Sequence, residues 1–568
     1  MHHWLRIYKS GVFVGLLGLL PILGMAEELV PDGAFLLQQI EKERGLSLPE
    51  KTEADPQPEL KNLKSTGGQA VWVKAFKFEG NTLLSESQLN AVVTPYLQQN
   101  LNFEQLQAVT RQVAETYRKA GWIVKAYLPQ QDITQGIVII HVTEAILGRV
   151  IPEDNASQRL LTTRAIGMIA AAQSPGTYLN SDALDRGVLL LNDLPGIAAV
   201  SRLSKGQHAG ETDLRLQLTD QPVLQSKLSG DNSGSRATGA LRFMPEFKVN
   251  SPSKIGDLLT ASLIHSEGSD YARVNYTLPL GLAGWRLGSS MSYLAYQLVS
   301  AEFAQSNSQG EAFLFSLDVN YPWLRSRLKN LFFALEFNHK RYDNQFNAAR
   351  VSQYQISNGS LNVFGNLFDD FWGGGASTGS LSLTEGYVDL NDSPNRSSIA
   401  DTTQTEAWFT KFRYSLTRQQ HITRDSQFYI SFSGQLASKN LDGAEKFYLG
   451  GAGGVRAYPA NEAGGSEGQL LTLELRQQLL GKVNLTGFYD FGHITLNTHN
   501  RFKGAAKVND YVLQGAGAAI AYTTDFALEM KLTWAHRLGT NPNPSTTGTD
   551  QDGSLDKHRF WFTVGLSL

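Results

Sequence analysis

Arg456 stands in GGAGGVRAYP, residues 450–459, a single cation closing a glycine-rich run. Two chemistries would bring glycines and a cation together. A phosphate-binding loop requires Gly-Lys-Ser/Thr after the glycines and a helix behind it, and neither follows here. The other is a planar, two-pronged bond to a carboxylate, which a guanidinium makes and an ammonium cannot. Catalytic patterns are missing: the 11 histidines are scattered, His339, His421, His493 and His536 lie on separate segments, and neither His-Glu-x-x-His nor Gly-x-Ser-x-Gly occurs. The chain has no cysteine, which removes thiolate metal sites and disulfides. No catalytic residue, metal or cofactor is expected. The acidic run TGTDQDGSLD (547–556) reads as a solvated loop.

The elements that must position Arg456 are legible around it. From residue 223 to 568 the chain runs in segments that alternate apolar and polar residues between Gly/Asn turns. In AFLFSLDVNYPW, Phe313, Phe315, Leu317, Val319 and Tyr321 oppose Ser316, Asp318 and Asn320. In LLTLELRQQ, Leu471, Leu473 and Leu475 oppose Thr472, Glu474 and Arg476. One such segment would fit a soluble sandwich. A sustained series with Lys, Arg and Glu on one parity fits a transmembrane antiparallel β-barrel of about 16 strands, lipid-facing outside and wet inside. RFWFTVGLSL reads as its closing strand, although it ends in Leu568 rather than the usual Phe.

Upstream, residues 1–26 carry Arg6 and Lys9, a short apolar core and small residues at Gly24 and Ala26, the pattern of a cleaved secretory signal peptide. Residues 27–48 include an amphipathic helix with Phe35, Leu36, Gln39 and Ile40 on one face, and 49–70 are a Pro- and charge-containing linker. Residues 71–148 read as β-α-α-β-β, and 149–222 repeat that order loosely. The α+β pair is expected to form a periplasmic arm in front of the barrel. A net charge of −3 and a pI near 6.4 leave no footprint for nucleic acid. A mean hydropathy of −0.23 excludes a polytopic helical membrane protein.

Together these parts resemble a two-partner secretion transporter (TpsB) of the ShlB/FhaC/HecB family, over nearly the whole mature chain. LLNDLPGI (190–197) is similar to a motif of the family's second POTRA domain, and DNSGSRATGALR (231–242) to its first barrel strand. FYLGGAGGVRAYPANEAGGSEG (447–468) is similar to its sixth extracellular loop, and GFYDFGHI (487–494) to the strand that loop engages. The family writes Val-Arg-Gly-Tyr where this chain has Ala457, so an ordinary backbone conformation is expected there.

The resemblance implies α+β POTRA domains in the periplasm of a bacterial outer membrane and a barrel that secretes, and in some members activates, an unfolded TpsA-like exoprotein. It implies an inward loop whose Val455, Arg456 and Tyr458 meet Phe488, Asp490 and Gly492. Strand parity agrees for the last three: an aspartate on the lipid parity would be costly. It also implies that the N-terminal helix plugs the pore. Cargo is expected to dock by β-augmentation in a groove between an edge strand at 212–219 and the helix at 159–172, lined by Leu160, Ile166, Leu214, Leu216 and Leu218. The other expected partners are outer-membrane lipid and the barrel-assembly machinery, with the chain a monomer. A BamA-type assembly factor, with more POTRA repeats and no plug, and a passive porin, with no arm, are the alternatives.

Overall fold

In a computed structural model of the chain, sixteen antiparallel strands close into a barrel, each bonded to its sequence neighbour. The described residues are 31–43, 48–51, 70–153, 157–303, 307–479 and 481–568; the signal peptide and linker residues 52–69 lie outside them. The first barrel strand, Leu224–Asp231, closes against the last, His558–Ser567, in a register running only from Asp231/Thr563 to Lys227/Ser567. The far wall is taller: Gln309–Arg325, Lys329–Phe346 and Ala349–Asp369 are 17, 18 and 21 residues long. Alternation decides what each side chain meets. Leu335, Phe337, Leu361, Leu381 and Leu416 are exposed on the outer face, where lipid replaces water, while Ser316, Asn358 and Lys411 are buried inside.

The lumen is filled by two inserts. One is helix α1 (Gly33–Lys42), whose N-cap Asp32 accepts the Phe35 amide at 2.9 Å. Too short to be stable alone, it buries Phe35, Leu36, Leu37 and Ile40 against Leu294, Leu314, Ile356 and Phe409 of the wall. The other is the long extracellular loop 438–466, which folds back inside.

Two units of like topology precede the barrel. The first has β1 (Val71–Val73), β2 (Ala75–Glu79), α2 (Glu86–Val93), β3 (Gln99–Leu101), α3 (Phe103–Lys119), β4 (Val124–Tyr127) and β5 (Ile137–Glu144). The second has β6 (Ile146–Pro152), α4 (Thr162–Ala172), α5 (Ser181–Asn192), β7 (Ile197–Lys205) and β8 (Glu211–Asp220). In each, the last strand lies in the middle, parallel to the first and antiparallel to the one between: β2-β5-β4 and β6-β8-β7. The expectation of an edge strand at 212–219 is therefore corrected: β8 is central, and β6 and β7 are the edges.

Glu144 at the end of β5 ties the β2–α2 turn and α3 of the first unit to its central strand. It accepts the amides of Thr82 and Leu83 at 2.7 and 2.8 Å and the Tyr117 hydroxyl at 3.1 Å. Burial pushes its carboxyl up, but these donors and the Thr82 hydroxyl more than offset that and hold it below its ordinary value. The Tyr117 hydroxyl is pushed up by burial and by the facing carboxylate.

Candidate functional site

The tip of loop 438–466 is a tight turn, with the Val455 amide bonded to the Leu449 carbonyl at 2.7 Å and the Tyr458 amide to the Val455 carbonyl at 3.0 Å. This aims Arg456 at the wall strands Glu467–Leu479 and Val483–Thr495. Its Nη2 donates to Asp490 Oδ1 at 2.7 Å, its Nε to Asp490 Oδ2 at 2.9 Å and its backbone amide to the same oxygen at 3.1 Å. The guanidinium lies 3.5 Å from the Phe488 ring centroid, so that one face is stacked while the edge is paired. Asp490 has no exposure and Arg456 only 6%, which makes this a pair whose separation would strand two charges.

Side chains that the motif did not announce complete the site. Glu474 accepts Arg456 Nη1 at 2.8 Å and is itself met by Arg476 at 2.7 Å, so two cations face two carboxylates. Trp561, on the last strand, donates its indole N–H to the Arg456 carbonyl at 2.8 Å. Tyr458 stacks on Arg537, 4.3 Å from the ring centroid. Arg537 in turn meets Asp550, whose other cation is Arg559, and Arg559 also pairs with Asp552. The acidic run 547–556 is thus no simple solvated loop: its carboxylates neutralise buried Arg537 and half-buried Arg559.

Close backbone approach explains the small residues. A Cβ on Gly492 would lie 2.8 Å from Leu449 Cδ2 and 3.1 Å from Val455 Cγ2. A Cβ on Gly515 would lie 2.7 Å from Ala457 Cβ. Ala457 is absent from the left-handed residues and spends its methyl group filling the space Gly515 leaves.

The descending stem of the loop is held to the opposite wall. Glu445, fully buried, is paired with Lys340 at 2.7 Å and with Lys411, and takes the Asn358 amide at 3.2 Å. This stem is also the seat of α1. Gln38 donates to the Lys446 carbonyl, Lys42 Nζ to the Tyr448 carbonyl at 3.0 Å, and Phe35 packs edge-on to Tyr448 with centroids 5.0 Å apart. Gln39 donates to the Ser233 carbonyl at 3.0 Å. Glu41 pairs with Arg273 at 2.6 Å and Glu43 with Arg242 at 3.0 Å. A cavity of about 350 Å³ remains beside the helix, lined by Glu41, Arg273, Glu336, Lys340, Lys411 and Glu445 among others.

The expected docking groove is not formed by its named residues. Leu160, Leu214, Leu216 and Leu218 are buried in the core between sheet and helices, and Ile166 is half-buried on α4. Of the two edges of this sheet, β6 is bonded at Ile146 and Leu147 by residues 176–178, while β7 exposes Val200 and Leu203. Among the described residues no group of three or more His, Asp or Glu side chains could hold a metal ion.

A closed barrel carrying a two-unit periplasmic arm, a luminal helix and an inward, arginine-locked loop defines an outer-membrane polypeptide transporter with POTRA domains. Residues 210–521 match the model of the haemolysin secretion/activation protein ShlB/FhaC/HecB family, and residues 71–145 match the POTRA domain of ShlB type. The chain belongs to the ShlB/FhaC/HecB family and is a two-partner secretion transporter of the outer membrane, with its POTRA domains in the periplasm. It is 26% identical over 555 residues to the heme/hemopexin transporter protein HuxB of Haemophilus influenzae (strain 86-028NP), covering 94% of each chain. Its fold is shared with CdiB from Escherichia coli, at a TM-score of 0.71 and 19% identity over 95% of this chain and 99% of that one. BamA from Haemophilus ducreyi lacking POTRA domains 1–3 is more distant, at 0.53 and 13% over 88% and 100%, so the assembly-factor alternative has only a general fold likeness behind it.

Proposed function

We propose that the chain exports an unfolded exoprotein that docks as an added strand on β7 of the second POTRA unit and then threads the lumen. One observation carries the docking step: β7 is an open sheet edge flanked by exposed Val200 and Leu203, which supplies backbone bonds for affinity and apolar contacts for selection. Helix α1 holds the resting pore shut and leaves its seat during transit, while Arg456 and Asp490 keep the loop tip on the wall. No catalytic step is involved, and folding of the cargo outside gives transport its direction. The chain works as a monomer in outer-membrane lipid after insertion by the barrel-assembly machinery.

The test is a proline on the edge. The Leu203 amide points away from β8, so Leu203→Pro leaves the existing ladder intact and removes a donor an incoming strand needs. Cells carrying it should lose from the medium the same exoprotein that a gene deletion removes, with the barrel still folded. Undiminished export would overturn docking on β7.

A further inference from the structure

The motif LLNDLPGI sits at the junction of the second POTRA unit and the barrel, where Asn192 and Asp193 at the end of α5 point to different neighbours. Asp193 takes both prongs of Arg325 from the barrel's periplasmic rim, at 2.8 and 2.9 Å, and its carbonyl accepts Arg286 at 2.6 Å. Arg325 is buried and also bonds Asn330 at 3.0 Å. Eight residues earlier on α5, Asp185 takes both prongs of Arg327 at 2.8 Å. Leu190 and Leu194 pack where Cβ atoms on the turn residues Gly284 and Gly256 would fall, 2.7 and 2.8 Å away. The helix is thereby fixed to the barrel rim at both ends of its last two turns.

Asn192 faces β7 instead. Its Oδ1 accepts the Ala199 amide at 2.8 Å and its Nδ2 donates to the Ala199 carbonyl at 2.9 Å. The side-chain amide therefore occupies that rung as a neighbouring strand would. In an antiparallel pair the residues that bond the partner alternate with those that face away. With Ala199 facing away from β8, Ser201, Leu203 and Lys205 face away too. The Ala199 rung lies at the barrel end of β7, with only Ile197 before it on the outward side, because a Cβ on Gly196 would lie 2.8 Å from Asn250 Cβ at the end of a barrel strand.

Resting on the docking reading above, we infer that Asn192 and Asp193 set the register of the docked cargo relative to the pore. Asp193 fixes the position of the edge over the barrel, and Asn192 closes its barrel-proximal rung, so that cargo pairs only from Ser201 outward. Without that stop, a strand could slide two residues toward the barrel and keep every side chain on its face. Both are positioning residues; neither is required to touch the cargo.

The chain has no native cysteine, so single cysteines at Ala199, Ser201, Leu203 or Lys205 of the full-length protein report cargo contacts by disulfide trapping in cells. The probe is the exoprotein that disappears from the medium on gene deletion, itself carrying one cysteine. Trapping is expected at Ser201→Cys, Leu203→Cys and Lys205→Cys but not at Ala199→Cys. In the Asn192→Ala background it should appear at Ala199→Cys, and the Ala199 amide should exchange about tenfold faster in the full-length protein. Asp193→Asn should leave the trapping pattern unchanged, broaden the distance distribution between spin labels at Leu203 and Asp525, and lower export. No trapping at any β7 position overturns the docking reading and this one with it. Trapping that is present but unmoved by Asn192→Ala overturns the register stop alone, and an unbroadened distribution in Asp193→Asn overturns the role of Asp193.

Discussion

Glu445 and Lys411 meet inside the lumen, on opposite sides of the space between loop stem and wall, with Lys340 completing the group at 2.7 Å. Two ammonium groups share one carboxylate that has no exposed surface. The arrangement matters because α1 rests on the residues just beyond Glu445, so one carboxylate holds the surface on which the helix sits.

Glu445→Gln keeps the size of the side chain and removes the charge. Breaking a buried pair costs about 3–5 kcal/mol because the partner is left unpaired, here for two lysines. The variant should show larger or more frequent openings in planar bilayers and retain heat-modifiable migration. Conductance identical to the parent would mean that the stem does not seat the helix.

At Arg456 the geometry of the donor is as important as its charge. Arg456→Lys retains a cation, but an ammonium cannot serve Asp490 with two parallel bonds, reach Glu474 and stack on Phe488 at once. Export should fall at least about tenfold, as far as Arg456→Ala would lower it, while the barrel inserts normally. Export by the Lys variant at the parental level would show that charge alone suffices.

Trp561→Phe preserves the ring and deletes the indole N–H that reaches the Arg456 carbonyl. A neutral hydrogen bond contributes about 0.5–1.5 kcal/mol, so the effect on export should be smaller than that of Arg456→Lys. Limited proteolysis of loop 438–466 should accelerate in the variant before any change in barrel stability. An unaltered cleavage rate would remove Trp561 from the lock.

The arm should show an acid limit of its own. The Glu144 carboxyl is held below its ordinary 4.5 in the folded state, so the native arm binds fewer protons than the unfolded one. The stabilisation is complete above about pH 5 and is lost as pH falls through the folded value. Hydrogen exchange of the full-length protein should register faster opening around Thr82 and Tyr117 in that window. Glu144→Gln should speed opening at neutral pH and flatten the pH dependence; a variant with the parental profile would contradict this.

Much of the barrel was legible because alternation has a direct cause: one parity meets lipid and the other water. The same parity put Phe488, Asp490 and Gly492 on the inner face, and it also put Glu474 and Arg476 there, but parity gives the face of the second carboxylate and not its partner Arg456. Trp561 was visible only as an inward residue of a closing strand, and Glu445 sits in a loop where no period applies. The arm exposes a different limit. Periodicity tells which face of a strand is covered but not which strand lies beside it. The 212–219 segment comes last in its repeat and looked like an edge, yet the parallel pairing of β6 with β8 places it in the middle. Leu214, Leu216 and Leu218 are apolar because they are core, not because they receive a ligand.

Helix α1 belongs to the same chain as the pore it fills. In the transport cycle proposed above, its competition with cargo is therefore intramolecular, governed by an effective local concentration that neither dilution nor expression level changes. A cargo segment must outbid a tethered occupant for the lumen, and when the last of it has passed, that occupant is still at hand. Resealing then behaves as a first-order step, and the membrane's permeability barrier is restored at a rate independent of how many transporters the cell makes.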